Sequence, residues 1–142
     1  MKYLFFITYF LFFICSCVQQ KQIEFTIDEY GTIIEYKGNE KSLLIPSYIN
    51  EKNVSSIAQG VFREKGLESI TIPESVTLIG YHAFEGNNLK TITIGQDVLL
   101  GLRADLEFHF VFNDDFDNFY NYSGMKAGTY VLKDGQWSIL DN

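Results

Sequence analysis

Apolar positions recur along the middle of the chain at a spacing too long for any single helix or strand. Ile57 matches Ile79, Phe62 matches Phe84, Leu67 matches Leu89, Ile70 matches Ile92 and Ile72 matches Ile94, and each pair is 22 residues apart. Five coincident apolar pairs at one offset mark an internal repeat, and this period belongs to solenoids, where each copy forms one coil and buries its faces only against its neighbours. Within the copies, Ile70-Thr71-Ile72 and Ile92-Thr93-Ile94 alternate with the two-residue period of a strand. Strand geometry then turns the isoleucines inward and Thr71 and Thr93 outward. Each coil is predicted to contribute one short strand to a parallel sheet, with Phe62 and Phe84 filling the interior of the return arm.

An earlier, degenerate copy is visible in Leu43-Leu44-Ile45-Pro46, which aligns with Ile70-Thr71-Ile72-Pro73 at an offset of 27. The difference is an insertion around Asn50 to Val54, expected to loop out between coils. Pro46 and Pro73 lack a backbone donor and should end their strands. Gly80, with Gly60 near the equivalent place, suits a tight bend where a side chain would collide with the next coil.

A solenoid this short needs help at both ends. Ile23 to Ile27 and Thr32 to Tyr36 are strand-like runs around Asp28-Glu29-Tyr30-Gly31, which predicts a hairpin. Past Val98 the repeat pattern leads elsewhere. There Phe108, Phe110 and Phe112 alternate with His109 and Val111, suggesting a further strand, and Phe116, Phe119 and Tyr120 follow at helical spacing, with Gly124 placed to close the helix. Thr129 to Lys133 and Gln136 to Leu140, joined by Asp134-Gly135, form a second predicted hairpin. The fold class is thus mainly β, or α+β: a short leucine-rich-repeat solenoid of about 22-residue repeats with capping hairpins at both ends.

The spacing Leu67-x-x-Ile70-Thr71-Ile72-Pro73-x-Ser75-Val76-x-x-Ile79-Gly80-x-x-Ala83-Phe84-x-x-Asn87-x-Leu89 resembles the BspA-type leucine-rich repeats of bacterial and some protist surface proteins. The segment Leu44 to Ile57 is similar to that family's opening repeat, with Ala58 standing where glycine is usual. The stretch from Phe116 to Trp137 resembles the tail of short spirochaete-type lipoproteins of this group. The resemblance implies a cell-surface protein, with adhesion to host matrix or to other bacteria, and supplies no catalytic residues.

The first residues read as an address. After Lys2 an almost wholly apolar run extends from Tyr3 to Ile14, too short for the roughly 20 residues of a spanning helix but suited to the core of a secretory signal. Ile14-Cys15-Ser16-Cys17 ends it and resembles the bacterial lipobox, with Cys17 as the lipidated residue. The alternatives are an ordinary cleaved signal and a retained helix. The expected organisation is a lipoprotein signal peptide over 1–16, a lipid-anchored linker over 17–22, a capping hairpin over 23–42, the repeats over 43–98 and a C-terminal cap over 99–142.

Charge and chemistry narrow the function. A net charge of −7 repels phosphate backbones, so nucleic acid is not a predicted partner. Both cysteines lie at or before residue 17, which leaves the solenoid without a disulfide. His82 and His109 share no metal-ligand spacing, no nucleophile motif is present, and no metal or cofactor is predicted. Asn113-Asp114-Asp115-Phe116-Asp117-Asn118 gathers oxygen ligands but lacks the spacing of a calcium loop, and its carboxylates also suit a helix N-terminus.

The predicted binding surface is the concave strand face carrying Glu68, Ser69, Thr71, Lys90, Thr91 and Thr93. Behind it lies the repeat core of Ile57, Phe62, Leu67, Ile70, Ile72, Ile79, Phe84, Leu89, Ile92 and Ile94. The leading function is a surface lipoprotein, at the outer membrane or cell surface, that binds a protein ligand of host matrix or bacterial origin. The alternatives are a periplasm-facing accessory lipoprotein and, more remotely, an envelope hydrolase.

Overall fold

The computed structural model describes residues 24–101, 110–112 and 116–140. The signal segment, the lipobox with Cys17, His109 and the Asn113-Asp114-Asp115 run lie outside these residues.

The 22-residue repeat closes into coils that cross two sheets and a return arm. Sheet A has the order β1 (Phe25–Ile27), β2 (Thr32–Tyr36), β6 (Ser56–Ile57), β8 (Leu78–Ile79), β10 (Leu99–Leu100). Sheet B has the order β3 (Ser42–Leu44), β7 (Ser69–Thr71), β9 (Thr91–Ile94), β11 (Gly128–Lys133), β12 (Gln136–Ile139). The coil strands pair in parallel with no slippage: Ser42 beside Ser69 and Ser69 beside Thr91, Leu44 beside Thr71 and Thr71 beside Thr93. The return arms bond coil to coil as well. Phe62 N–H donates to Ala83 O at 2.8 Å and Glu64 N–H to Glu85 O at 2.8 Å, and Phe84 N–H donates to Val111 O at 2.9 Å.

Because each coil sets one aromatic ring at the same interior position, the rings stack along the solenoid axis. Tyr36, Phe62, Phe84 and Phe112 follow one another at centroid separations of 5.1, 5.0 and 4.8 Å. The last two steps are within 4° of parallel. This spacing is close to the ~4.8 Å between hydrogen-bonded strands, so rings and ladders advance together. Phe25 covers the first end, 5.0 Å from Tyr36. At the other end Phe116 lies edge-on to Phe112, Tyr130 and Trp137. All ten repeat-core positions are buried.

The irregular return arms need their own polar partners. Asn87, buried, donates through Nδ2 to Phe62 O and Phe84 O, both at 2.7 Å, and accepts the Leu67 N–H at 3.0 Å. One amide therefore satisfies three backbone groups in two adjacent coils. The two glycines of the repeat have different reasons to exist. A Cβ on Gly80 would stand 2.6 Å from Gln59 N, which is the predicted collision with the neighbouring coil. Gly60 is not its counterpart: it has open space around it and a φ of +69°, so it is required by backbone conformation. The counterpart is Ala58, whose N–H bonds to Ile33 O where the preceding coil is still running as strand β2.

The insertion after Pro46 loops out as a small hairpin, β4 (Tyr48–Ile49) with β5 (Lys52–Asn53), turning on Asn50 and Glu51 at positive φ. β1 and β2 form the N-terminal hairpin, with a bulge between Thr26 and Ile27.

The pattern past Val98 departs from expectation. The chain does not leave the repeat path at Leu99. Leu99 and Leu100 form β10 in register with Leu78 and Ile79, and Gly101 N–H bonds to Ile79 O as Gly80 N–H bonds to Ile57 O. Val111 and Phe112 then occupy the return-arm places of Ala83 and Phe84. The extra residues between Gly101 and Phe110 hide this coil in the sequence. The strand expected around Phe108 to Phe112 is not formed over the described part, 110–112, where Phe110 is half exposed and both Val111 and Phe112 are buried.

Helix α1 (Phe116–Tyr122) closes the open end of the stack and terminates at Gly124, φ +81°. Asp117, in its first turn, is buried and accepts the N–H groups of Val111 at 2.5 Å and Phe112 at 3.3 Å. This ties the helix to the last aromatic rung. Burial raises its pKa to about 6, against the opposing pull of those two hydrogen bonds. A folded-state value above the ordinary carboxyl value of 3.8 means that ionisation costs the folded state, so stability declines as pH rises from about 4 to about 6. Asp117→Asn should remove that decline. Measured by chemical denaturation at pH 4 and pH 7, the difference in stability between the two proteins should move in favour of Asn by about 2 kcal/mol. A pH-independent difference would contradict a buried, destabilised carboxyl.

Candidate binding face

The outer surface of sheet B is built by strand alternation. Ile70, Ile92, Tyr130 and Trp137 turn inward and are buried, which sends their neighbours Ser69, Thr71, Thr91, Thr93, Thr129, Val131 and Ser138 outward. Register then sorts the outward residues into two rows. One runs Ser42, Ser69, Thr91, Val131, Ser138 and the other Leu44, Thr71, Thr93, Thr129. Leu140, whose N–H bonds to Thr129 O at 2.8 Å, completes the second row.

Hydroxyls on these rows bond to one another across strands. Ser69 Oγ donates to Ser42 Oγ at 2.6 Å, and Thr93 Oγ1 lies 2.9 Å from Thr129 Oγ1. Neither row contains a charge. Charges stand instead where the strands begin: Lys41 Nζ lies 2.6 Å from Glu68 Oε1, with Lys90 following on the next coil. The hydrogen bond from Lys41 holds the Glu68 carboxyl below its usual pKa and the Lys41 ammonium above its own. The pair is exposed, so it is screened by salt and marks an edge more than it stabilises the fold.

The six sequence-predicted face residues are therefore not equivalent. Ser69, Thr71, Thr91 and Thr93 lie in the rows, and Glu68 and Lys90 lie on the bordering charged line. Sequence reasoning missed Ser42, Leu44, Thr129, Val131, Ser138 and Leu140. The alternation of Thr129-Tyr130-Val131 signals a strand with an outward side, but its antiparallel docking on β9 is a long-range pairing.

Elsewhere the titratable groups serve the scaffold. His82 Nδ1 lies 3.0 Å from Glu85 Oε2, which also meets Arg63 Nε at 3.2 Å. Tyr36 donates its hydroxyl to Glu40. Among the described residues no group of three or more His, Cys, Asp or Glu side chains is placed to hold a metal ion, and no helix is long and apolar enough to cross a membrane.

The repeat geometry agrees with a family model. The model of the BspA type leucine-rich repeat region matches residues 6–100, in six copies. The chain belongs to this family. One solved structure similar to this BspA-type chain is that of a leucine-rich cell surface protein from Faecalibacterium prausnitzii A2-165. The identity is 33%, the match covers 51% of this chain and 22% of that one, and the TM-score is 0.43. The chain thus spans about a fifth of that protein's length. No curated protein matches it.

The outward assignment is testable by contrast. Thr93→Arg should cost no more than about 1.5 kcal/mol, the worth of its hydroxyl bond to Thr129, while Ile92→Arg one residue away should unfold the chain by burying an uncompensated charge. Thermal melts read both, and equal effects of the two substitutions would contradict the face.

Proposed function

We propose that this BspA-type repeat chain is an exported lipoprotein, anchored through Cys17, whose sheet B face binds a protein partner in adhesion to host matrix or to other cells. The observation that carries the reading is the face itself: two uncharged rows running without interruption across five strands, about 19 Å at ~4.8 Å per strand step. The hydroxyls of Ser42, Ser69, Thr93 and Thr129 already bond to one another in pairs, so covering these four with a protein surface costs little desolvation. Half-exposed Leu44 and Leu140 at its two ends offer apolar area to bury.

The reading is non-catalytic and assigns no cofactor. Membership of a repeat family supports recognition by an extended surface. Anchoring rests on the run from Lys2 to Cys17: one positive charge, an apolar stretch, then Ile14-Cys15-Ser16-Cys17. Acyl chains on that sulfur would contribute ~0.8 kcal/mol per buried methylene.

Two measurements test this together. Protease added to intact cells should degrade the protein, and survival would place it facing the periplasm in an accessory role. Cells displaying the full chain should bind immobilised matrix proteins or other bacteria saturably. A Thr71→Arg, Thr93→Arg double variant that still folds should lose at least tenfold in affinity, about 1.4 kcal/mol. Undiminished binding by that variant would move the site off this face.

A further inference from the structure

The two ends of the double sheet are steps of opposite hand. At the N-terminal end β2 and β3 belong to the same coil, and sheet A carries one more strand, β1, beyond that coil. At the C-terminal end β10 and β11 lie on the same level, each next to a strand of the β8–β9 coil, and sheet B carries one more strand, β12, beyond that level. Among the described residues, sheet A therefore projects by one strand at the start and sheet B by one strand at the finish. If a second copy is translated along the axis so that its β3 follows β12, its β1 falls next after β10, and both sheets continue without a missing or doubled rung.

Strand direction agrees. β11 runs antiparallel to β9 and β12 antiparallel to β11, so β12 points the same way as β9, β7 and β3. Backbone parity agrees as well. Lys41 O accepts the Ser69 N–H and Ile45 N–H bonds to Thr71 O, so residues 41, 43 and 45 face β7 while Ser42 and Leu44 aim their backbone groups off the free edge. On β12, Leu140 N–H bonds to Thr129 O, which by alternation leaves the groups of Trp137 and Ile139 on that strand's free edge. A parallel pair in which Ser42 of one copy sits between Trp137 and Ile139 of the other satisfies both sets.

The side chains in that register are like with like. Ser138 meets Ser42 of the next copy, Ile139 meets Leu43 and Leu140 meets Leu44, so Ser-Ile-Leu continues as Ser-Leu-Leu. Leu140 is 51% exposed and Leu44 59% exposed, and each would cover the other. Neither β3 nor β12 contains the charge or proline by which free edges are commonly guarded.

We propose that copies of this chain associate head to tail, β12 of one pairing in parallel with β3 of the next, to extend both sheets and both face rows. Such a contact joins two different edges and does not close on itself, so it propagates beyond a pair. It stands apart from the partner-binding reading and survives if that reading fails.

Cysteine cross-linking of the full chain in intact producing cells tests it. Ser42 and Ser138 lie on opposite edges of one five-stranded sheet, about 19 Å apart at ~4.8 Å per strand step, so no disulfide can join them within a chain. Under mild oxidation a Ser42→Cys, Ser138→Cys double variant should give a ladder of dimers, trimers and larger species, above the background that Cys15 and Cys17 give in the native chain. Each single variant alone should stay at that background, and the two single variants produced together should give mixed dimers. Adding Leu44→Arg and Leu140→Arg to the double variant, both at half-exposed positions, should reduce the ladder at least tenfold while the thermal melt is retained. A double variant no more cross-linked than the native chain would overturn the proposal. So would strong dimers from Ser42→Cys alone, which would show two-fold pairing of β3 instead.

Discussion

The stack of aromatic rings along the solenoid axis is the interaction on which the rest depends. A coil of about 22 residues has two faces and cannot bury either of them alone. Setting Tyr36, Phe62, Phe84 and Phe112 at one interior position, each about one strand spacing from the next, turns every coil into the floor of its neighbour. The pitch of the rings and the pitch of the ladders are the same constraint seen from inside and from the edge. That is why both sheets and the return arms keep register where single strands are only two to four residues long. Truncating one such buried ring typically costs ~3 to 5 kcal/mol, a large part of the stability of a domain this size.

Ending the stack is the matching problem, and the two ends solve it differently. Phe25 covers Tyr36 through the N-terminal hairpin, within sheet A. At the other end α1 brings Phe116 over Phe112, Asp117 ties the helix back to that rung, and β11 carries Tyr130 into the same aromatic group. Since β11 reaches Tyr130 by pairing along β9, capping the core also widens sheet B. The breadth of the candidate face and the offset between the two sheet ends are consequences of how the core is closed.

Much of this was legible in residues. Ile70-Thr71-Ile72 and Ile92-Thr93-Ile94 declared both a strand and its outward side, and Asp134-Gly135 between alternating runs declared a hairpin, formed with both turn residues at positive φ. What stayed hidden was non-local. The coil containing Val111 and Phe112 was masked by added residues before Phe110, which break the period although the interior position is still filled by phenylalanine. Gly60 and Gly80 look alike in sequence but answer to φ in one case and to a 2.6 Å approach in the other. Four outward residues near the C-terminus, Thr129, Val131, Ser138 and Leu140, join the face only because β11 pairs with β9, and no local pattern states that partner.

The central claim is that repeats and C-terminal hairpin share one continuous sheet, sheet B, closed over one aromatic stack. Amide hydrogen exchange resolved by residue tests it most directly. The account predicts that the backbone amides bonded between β9 and β11 are protected to within about tenfold of those bonded between β7 and β9, because both sets open only when the stack opens. Exchange of the β11 amides many orders of magnitude faster, with β7 and β9 still protected, would show the hairpin to be an appendage and would contradict the account.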